Sequence, residues 1–140
     1  MAIEVKDLEG VKSDCLAPAA IEAKCETVAV GKVGLSPAKC FVLAMAAGVF
    51  IGFGATFFLT FTADPTLTFG VKKLVGGICF CLGLALVICC GAELFTGNSL
   101  MVAALASKKI TWGGLLKNWV IVILGNLVGA LLLVFIVAMA

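Results

Sequence analysis

The chain has 140 residues, of which 63% are hydrophobic and only 13% charged, with a mean hydropathy of +1.24. A soluble domain carries about 25% charged residues, so a water-soluble globular protein is excluded. The formal charge of +2 is too small to argue for a nucleic-acid partner, and none is expected.

The charges are clustered. Between Lys39 and Lys72 the only one is Asp64, between Lys73 and Lys108 the only one is Glu93, and none follows Lys117. Three stretches therefore each exceed the ~20 apolar residues that cross ~30 Å of hydrocarbon.

Residues 1–37 read as a cytoplasmic segment. Residues 1–13 are expected to fray, and no secretory leader pattern is visible in the first 30 residues. Residues 14–31 suggest an interfacial helix, with Asp14 as cap and Pro18 in the first turn. Leu16, Ala20, Ala23 and Val28 would face lipid while Glu22, Lys24 and Glu26 stay wet.

Ser36-Pro37 then caps and starts the first span, over 38–62. Its Gly48 and Gly52 form a small-xxx-small face for close helix approach. Residues 63–71 make a turn at Pro65 and Gly70. The second span occupies 72–90, followed by a break over 91–98 and a half-helix over 99–107. A loop with Lys108, Lys109 and Thr111-Trp112-Gly113 leads to the third span, 115–137, where Gly125 and Gly129 repeat the small-residue spacing.

Lysines set the orientation. Eight precede the first span or lie between the second and third, against Lys72 and Lys73 alone in the intervening loop. The N-terminus is thus expected in the cytoplasm and the 63–71 loop outside. Trp112 and Trp119 read as interfacial aromatics. Three spans form an odd crossing, the size of one half of an inverted repeat.

The break carries the chemistry. Gly91-Ala-Glu-Leu-Phe-Thr-Gly-Asn98 interrupts helix at membrane depth, where irregular backbone survives only if buried in protein or lining a wet path. Glu93, the one carboxylate there, should bond loop N–H groups, contact a neighbouring protomer or be protonated. Thr96, Asn98 and Ser99 either cap loose ends or present polar groups to a solute, helped by the half-helix N-terminus after Asn98. Phe80 and Leu84 share one helix face, bordered by Gly76 and Gly83, which suits packing or an apolar restriction. Lys72 and Lys73 either concentrate anions at an outer mouth or snorkel. The cysteine pairs Cys79/Cys81 and Cys89/Cys90 supply no tetrahedral set, and the chain has no histidine, so buried thiols are expected and no metal or cofactor. Asn118 and Asn126 should hydrogen-bond between helices.

Together, Lys73-Leu-Val-Gly-Gly-Ile-Cys-Phe-Cys-Leu-Gly-Leu84, Gly91-Ala-Glu-Leu-Phe-Thr-Gly-Asn98, Lys117-Asn-Trp119 and Gly125-Asn-Leu-Val-Gly-Ala130 resemble the formate–nitrite transporter family over about residues 15–140. The resemblance implies an all-α membrane protein, here an aquaporin-like half with its second helix broken. Such a half is normally one inverted repeat of a six-helix protomer in an inner-membrane homo-pentamer. It implies channels for small monovalent anions (formate, nitrite or hydrosulfide), not an enzyme, surrounded by membrane lipid. By the same resemblance Phe80 and Leu84 line the outer constriction and middle of a pore. Leu94, Phe95 and Thr96 narrow its cytoplasmic side, within the loop shaped by Gly91, Glu93, Gly97 and Asn98. A threonine at the place of Thr96 bonds a histidine from the second half, which this stretch lacks. Two further classes stand beside this one: a non-conducting half-protein or membrane scaffold, and a membrane redox protein using the cysteines.

Overall fold

Proline opens the first two helices, and glycine follows the ends of the first and the third. A computed structural model describes residues 16–139 and contains six α-helices among them. Helix α1 (Pro18–Val33) begins with proline at its first position, behind Ala17, which makes no side-chain cap. Asp14, the expected cap, lies outside the described residues. Helix α2 (Pro37–Thr62) is capped by the Ser36 hydroxyl, which accepts from the Lys39 N–H at 3.4 Å. Its 26 residues span roughly 39 Å at the α-helical rise. In the turn that follows, Asp64 accepts from the Thr66 N–H (2.8 Å) and hydroxyl (2.6 Å), closing an Asx turn.

Helix α3 (Phe69–Cys89) starts three residues earlier than the sequence suggested. After the break come α4 (Phe95–Asn98), a 3-10 turn (Ser99–Met101) and α5 (Val102–Ala106). Helix α6 (Trp112–Met139) also starts three residues early, because the Thr111 hydroxyl accepts from the Gly114 N–H at 3.2 Å and caps it.

Three helices, α2, α3 and α6, are long and apolar enough to cross a membrane. Helix α2 lies between the other two, antiparallel to α3 and parallel to α6. The small-residue faces read separately from the sequence meet each other. A Cβ on Gly48 would strike the Asn126 backbone, and one on Gly129 the Met45 carbonyl. Gly76 and Gly83 face α2 at Phe58 and Phe50 rather than bordering an open face. Only 22%, 17% and 22% of the three spans is buried, so their outer faces need an apolar solvent or further protein.

Helix α1 does not lie free at an interface. Ala20, Ala29 and Glu26 are buried against α5 and its surroundings, while Val28 is exposed. The expectation of a wet Glu26 fails because Lys109 donates to it at 2.7 Å and the Ser107 hydroxyl also bonds it. Lys108 makes this possible. Its positive φ of 57° turns the chain back after α5 and brings Lys109 onto α1. Lys109 and Ser107 hold the Glu26 carboxyl below its ordinary pKa. A carboxyl lowered by folding contributes stability above its unfolded value of about 4.3 and loses it as pH falls through the folded value. Acidification below about pH 4 should therefore loosen α1, seen as faster hydrogen exchange at 18–33, and Glu26→Gln should abolish that pH dependence.

Candidate functional site: the broken helix

The break begins as a helix terminus. Gly91 adopts φ +62°, its N–H donates to the Ile88 carbonyl at 3.2 Å and the Ala92 N–H to the Val87 carbonyl at 3.0 Å. That is a Schellman cap, and glycine takes its left-handed position without steric cost. The chain then runs extended along α2, where the Glu93 N–H donates to the Leu43 carbonyl at 3.2 Å. Leu94 is extended (φ −100°, ψ 133°), and helix resumes at Phe95. The irregular stretch is thus shorter than 91–98. The second half-helix starts four residues before the expected 99, and Asn98 lies inside it.

One side chain bonds the backbone on both flanks of Leu94. Asn126 on α6 accepts from the Phe95 N–H at 3.0 Å and donates to the Glu93 carbonyl at 2.9 Å and the Ala44 carbonyl at 2.8 Å. The N–H that opens the half-helix is therefore occupied by Asn126.

A buried polar cluster lies behind the loop. Lys32 of α1 donates to Glu93 Oε2 at 2.9 Å and to Asn98 Oδ1 at 2.6 Å. Asn98 Nδ2 donates to Glu93 Oε2 (2.7 Å) and to Asn118 Oδ1 (2.8 Å), and Asn118 reaches Cys40 Sγ at 3.6 Å. Glu93 is thus neutralised by a lysine 61 residues upstream, a partner absent from the expected set of loop N–H, neighbouring protomer or proton. Asn98 is fully buried at the centre of the cluster. Trp119 is not purely interfacial: its indole N–H donates to the Asn98 carbonyl at 3.0 Å and its ring meets Phe95 edge-on at 5.6 Å. No buried side-chain nitrogen or oxygen among the described residues lacks a partner.

On the other side of the loop is an open groove of about 1150 Å³. Leu84, Leu94, Thr96 and Gly97 line it, together with Lys24, Lys32 and Lys39. Thr96 is exposed there. Its hydroxyl makes no hydrogen bond among the described residues, while its carbonyl accepts from Ser99 Oγ at 2.6 Å. A Cβ on Gly97 would meet nothing, so that glycine keeps the groove wide rather than relieving strain. Phe80 is exposed one turn from Leu84 on α3 but does not line this groove. Lys72 and Lys73 sit at the far end of α3, roughly 17 Å along the helix from Leu84. Lys73 there lies over the Phe69 ring at 5.6 Å.

Of the four cysteines expected to be buried none is: Cys79 is half-buried, and the buried thiol among the described residues is that of Cys40. Cys81, Cys89 and Cys90 are exposed, on apolar faces where a small thiol suits a nonpolar surround as well as an interior does. No group of His, Cys, Asp or Glu among the described residues could hold a metal ion. Lys32 is the site residue that sequence reasoning missed. It counted only as an orienting charge, and nothing local to it signals a contact 61 residues away.

Three crossing-length apolar helices, with a break and half-helix folded inside them, define a polytopic membrane protein of the transport type. The chain belongs to the formate/nitrite transporter family, whose pattern it matches over residues 19–140. It is 53% identical over 122 residues to the formate channel FocA of Escherichia coli K12, covering 86% of this chain and 43% of that protein. It is 36% identical to the formate channel FocA of Haemophilus influenzae, covering 94% and 45%. Among solved structures it matches an FNT family ion channel at TM-score 0.76 and 30% identity, covering 86% of this chain and 49% of that one. The chain therefore spans about half the length of the relatives it matches. Those relatives are channels and transporters rather than enzymes, as the sequence reading anticipated.

Proposed function

We propose that this chain forms one half of a channel for small monovalent anions, with formate as the permeant species. The observation that carries the reading is the lysine-flanked groove that ends at Leu84, Leu94 and the free Thr96 hydroxyl. Lys24 and Lys39 at the groove walls raise the local anion concentration, while Lys32 there is paired with Glu93, which also lines the groove. The apolar side chains beyond them admit only a solute small enough to shed its water in a narrow restriction. Thr96 offers a hydrogen bond at that point and Leu94 defines the width, while Phe95, packed on Trp119, backs the loop from behind. Phe80, exposed one turn beyond the groove on α3, forms the outer constriction of the completed conduit, and Lys72 and Lys73 stand at the outer mouth.

The similarity to formate channels supports formate over nitrite and hydrosulfide. A second, inverted half completes the conduit, five such protomers assemble, and the N-terminus lies on the cytoplasmic side of the inner (plasma) membrane. Lysine placement supports that orientation.

Stopped-flow anion uptake into proteoliposomes holding the full-length protein tests this. Formate should enter faster than nitrite or hydrosulfide. Thr96→Leu should lower formate flux about tenfold, the equivalent of one lost hydrogen bond to an anion. Unchanged flux in Thr96→Leu removes that hydroxyl from the path. A protein silent toward all three anions is a scaffold instead.

A further inference from the structure

Leu94 occupies a place no other residue of the break shares. It lines the lysine-flanked groove on one side and, on the other, a second cavity of about 630 Å³ between α2 and α6, bounded by Gly48, Thr56, Asn126 and Leu133. One isobutyl side chain thus stands as a partition between two open volumes. Its own backbone is extended and carries no helical bond on the α3 side. What holds it is found immediately to either side, where the carbonyl of Glu93 and the N–H of Phe95 are both bonded to the carboxamide of Asn126, at 2.9 and 3.0 Å. The same Nδ2 is anchored to the Ala44 carbonyl of α2 at 2.8 Å. A backbone gripped on both flanks by one planar group has little freedom to translate or rotate. The carboxamide sits at the close α2–α6 crossing, where a Cβ on Gly48 would strike the Asn126 backbone itself. It therefore cannot follow the loop outward.

We infer that Asn126 is a positioning residue: it sets how far Leu94 projects between the two cavities, and so the size of anion the break lets pass. This rests on the conduit reading above. Only an amide does this work, because it must accept from one backbone group and donate to two others. Asn126→Asp keeps the size and the bond from Phe95 but turns the donors toward Glu93 and Ala44 into a repelling oxygen. Asn126→Ala removes all three bonds and lets the loop shift.

The experiment measures formate and acetate uptake into proteoliposomes of the full-length protein, with Leu94→Ala as reference. Asn126→Ala should lower the formate-to-acetate ratio about tenfold, because nothing then fixes how far Leu94 projects. The double variant Leu94→Ala/Asn126→Ala should show the same ratio as Leu94→Ala alone, since the two act through one element. A role confined to helix packing would lower yield and total flux while leaving the ratio untouched, and that result overturns the inference. Asn126→Asp, the isosteric variant, serves where Asn126→Ala does not fold, and a parental ratio in it counts equally against the proposal.

A second readout needs no flux. With Leu94→Cys as a probe, modification by a water-soluble maleimide, quantified at position 94 by mass spectrometry, should quicken at least severalfold when Asn126→Asp is added. Equal rates overturn the inference. Absent anion flux in the parent together with this change in labelling discards the transport reading while leaving the positioning itself standing.

Discussion

Lys32→Met should be among the most damaging single substitutions in the chain. It leaves the Glu93 carboxylate, 5% exposed, facing Asn98 alone in a buried cluster. Removing one partner of a buried ion pair costs about 3–5 kcal/mol. The Lys32 side chain retains 20% exposure, so the lower end of that range applies. Thermal unfolding in detergent should show a clear fall in Tm. The double variant Lys32→Met/Glu93→Gln should regain most of it, because the glutamine carbonyl still accepts from Asn98 Nδ2 and no charge is left behind. If the single variant matches the parent, the pair is solvated and does not hold α1 to the break. If the double variant is as poor as the single one, Lys32 acts through packing of its stem rather than through charge.

The second large effect is expected at Gly129. A Cβ there meets the carbonyl oxygen of Met45, which is backbone and cannot rotate aside, so α2 and α6 must separate along their whole contact. Overpacking of this kind costs about 1–3 kcal/mol where side chains can give way, and more where backbone opposes backbone. Gly129→Val should abolish recovery of folded protein from membranes. Gly113→Ala is the control, since a Cβ there meets nothing and alanine favours helix. Comparable yields from the two variants would mean that the α2–α6 crossing is looser than the structure has it.

The strength of the local signals decided which parts of this fold were legible. Ser36-Pro37 and Gly91 act through bonds to residues within four positions of themselves, and both behave as their chemistry requires. The starts of α3 and α6 were read three residues late because Phe69 and Trp112 sit beside turn-like residues. Thr68 and Thr111 nonetheless precede them as N-terminal flanking residues. The break expected over 91–98 is longer than the irregular stretch in the structure, where helix resumes at Phe95. Asn98 looks like a cap in a polar run, yet it is helical and buried, since its amide is matched by groups on α1 and α6 that lie far off in sequence.

Glu26 shows the same limit. On a surface helix a glutamate among polar neighbours reads as wet, and only the packing of α5 brings Ser107 to it and the reversal at Lys108 brings Lys109. Phe80 and Leu84 were read as one face, and they are, but only Leu84 borders the groove. Phe80 lies one turn further from the break than Leu84, beyond the α3 residues Leu84, Val87 and Ile88 that line the groove.

By itself the sequence determined that three segments cross an apolar layer and that the second breaks at Gly91, because hydrophobic length and a left-handed glycine are properties of contiguous residues. The small-residue spacings at Gly48 and Gly125 likewise announced close helix contact. Only the tertiary structure decided that these two faces meet each other, that Lys32 neutralises Glu93, and that Asn126 grips both sides of Leu94. Each of those is a pairing over 30 to 80 residues of chain, chosen by which polar group is left without water once the helices pack, and no local pattern encodes that choice.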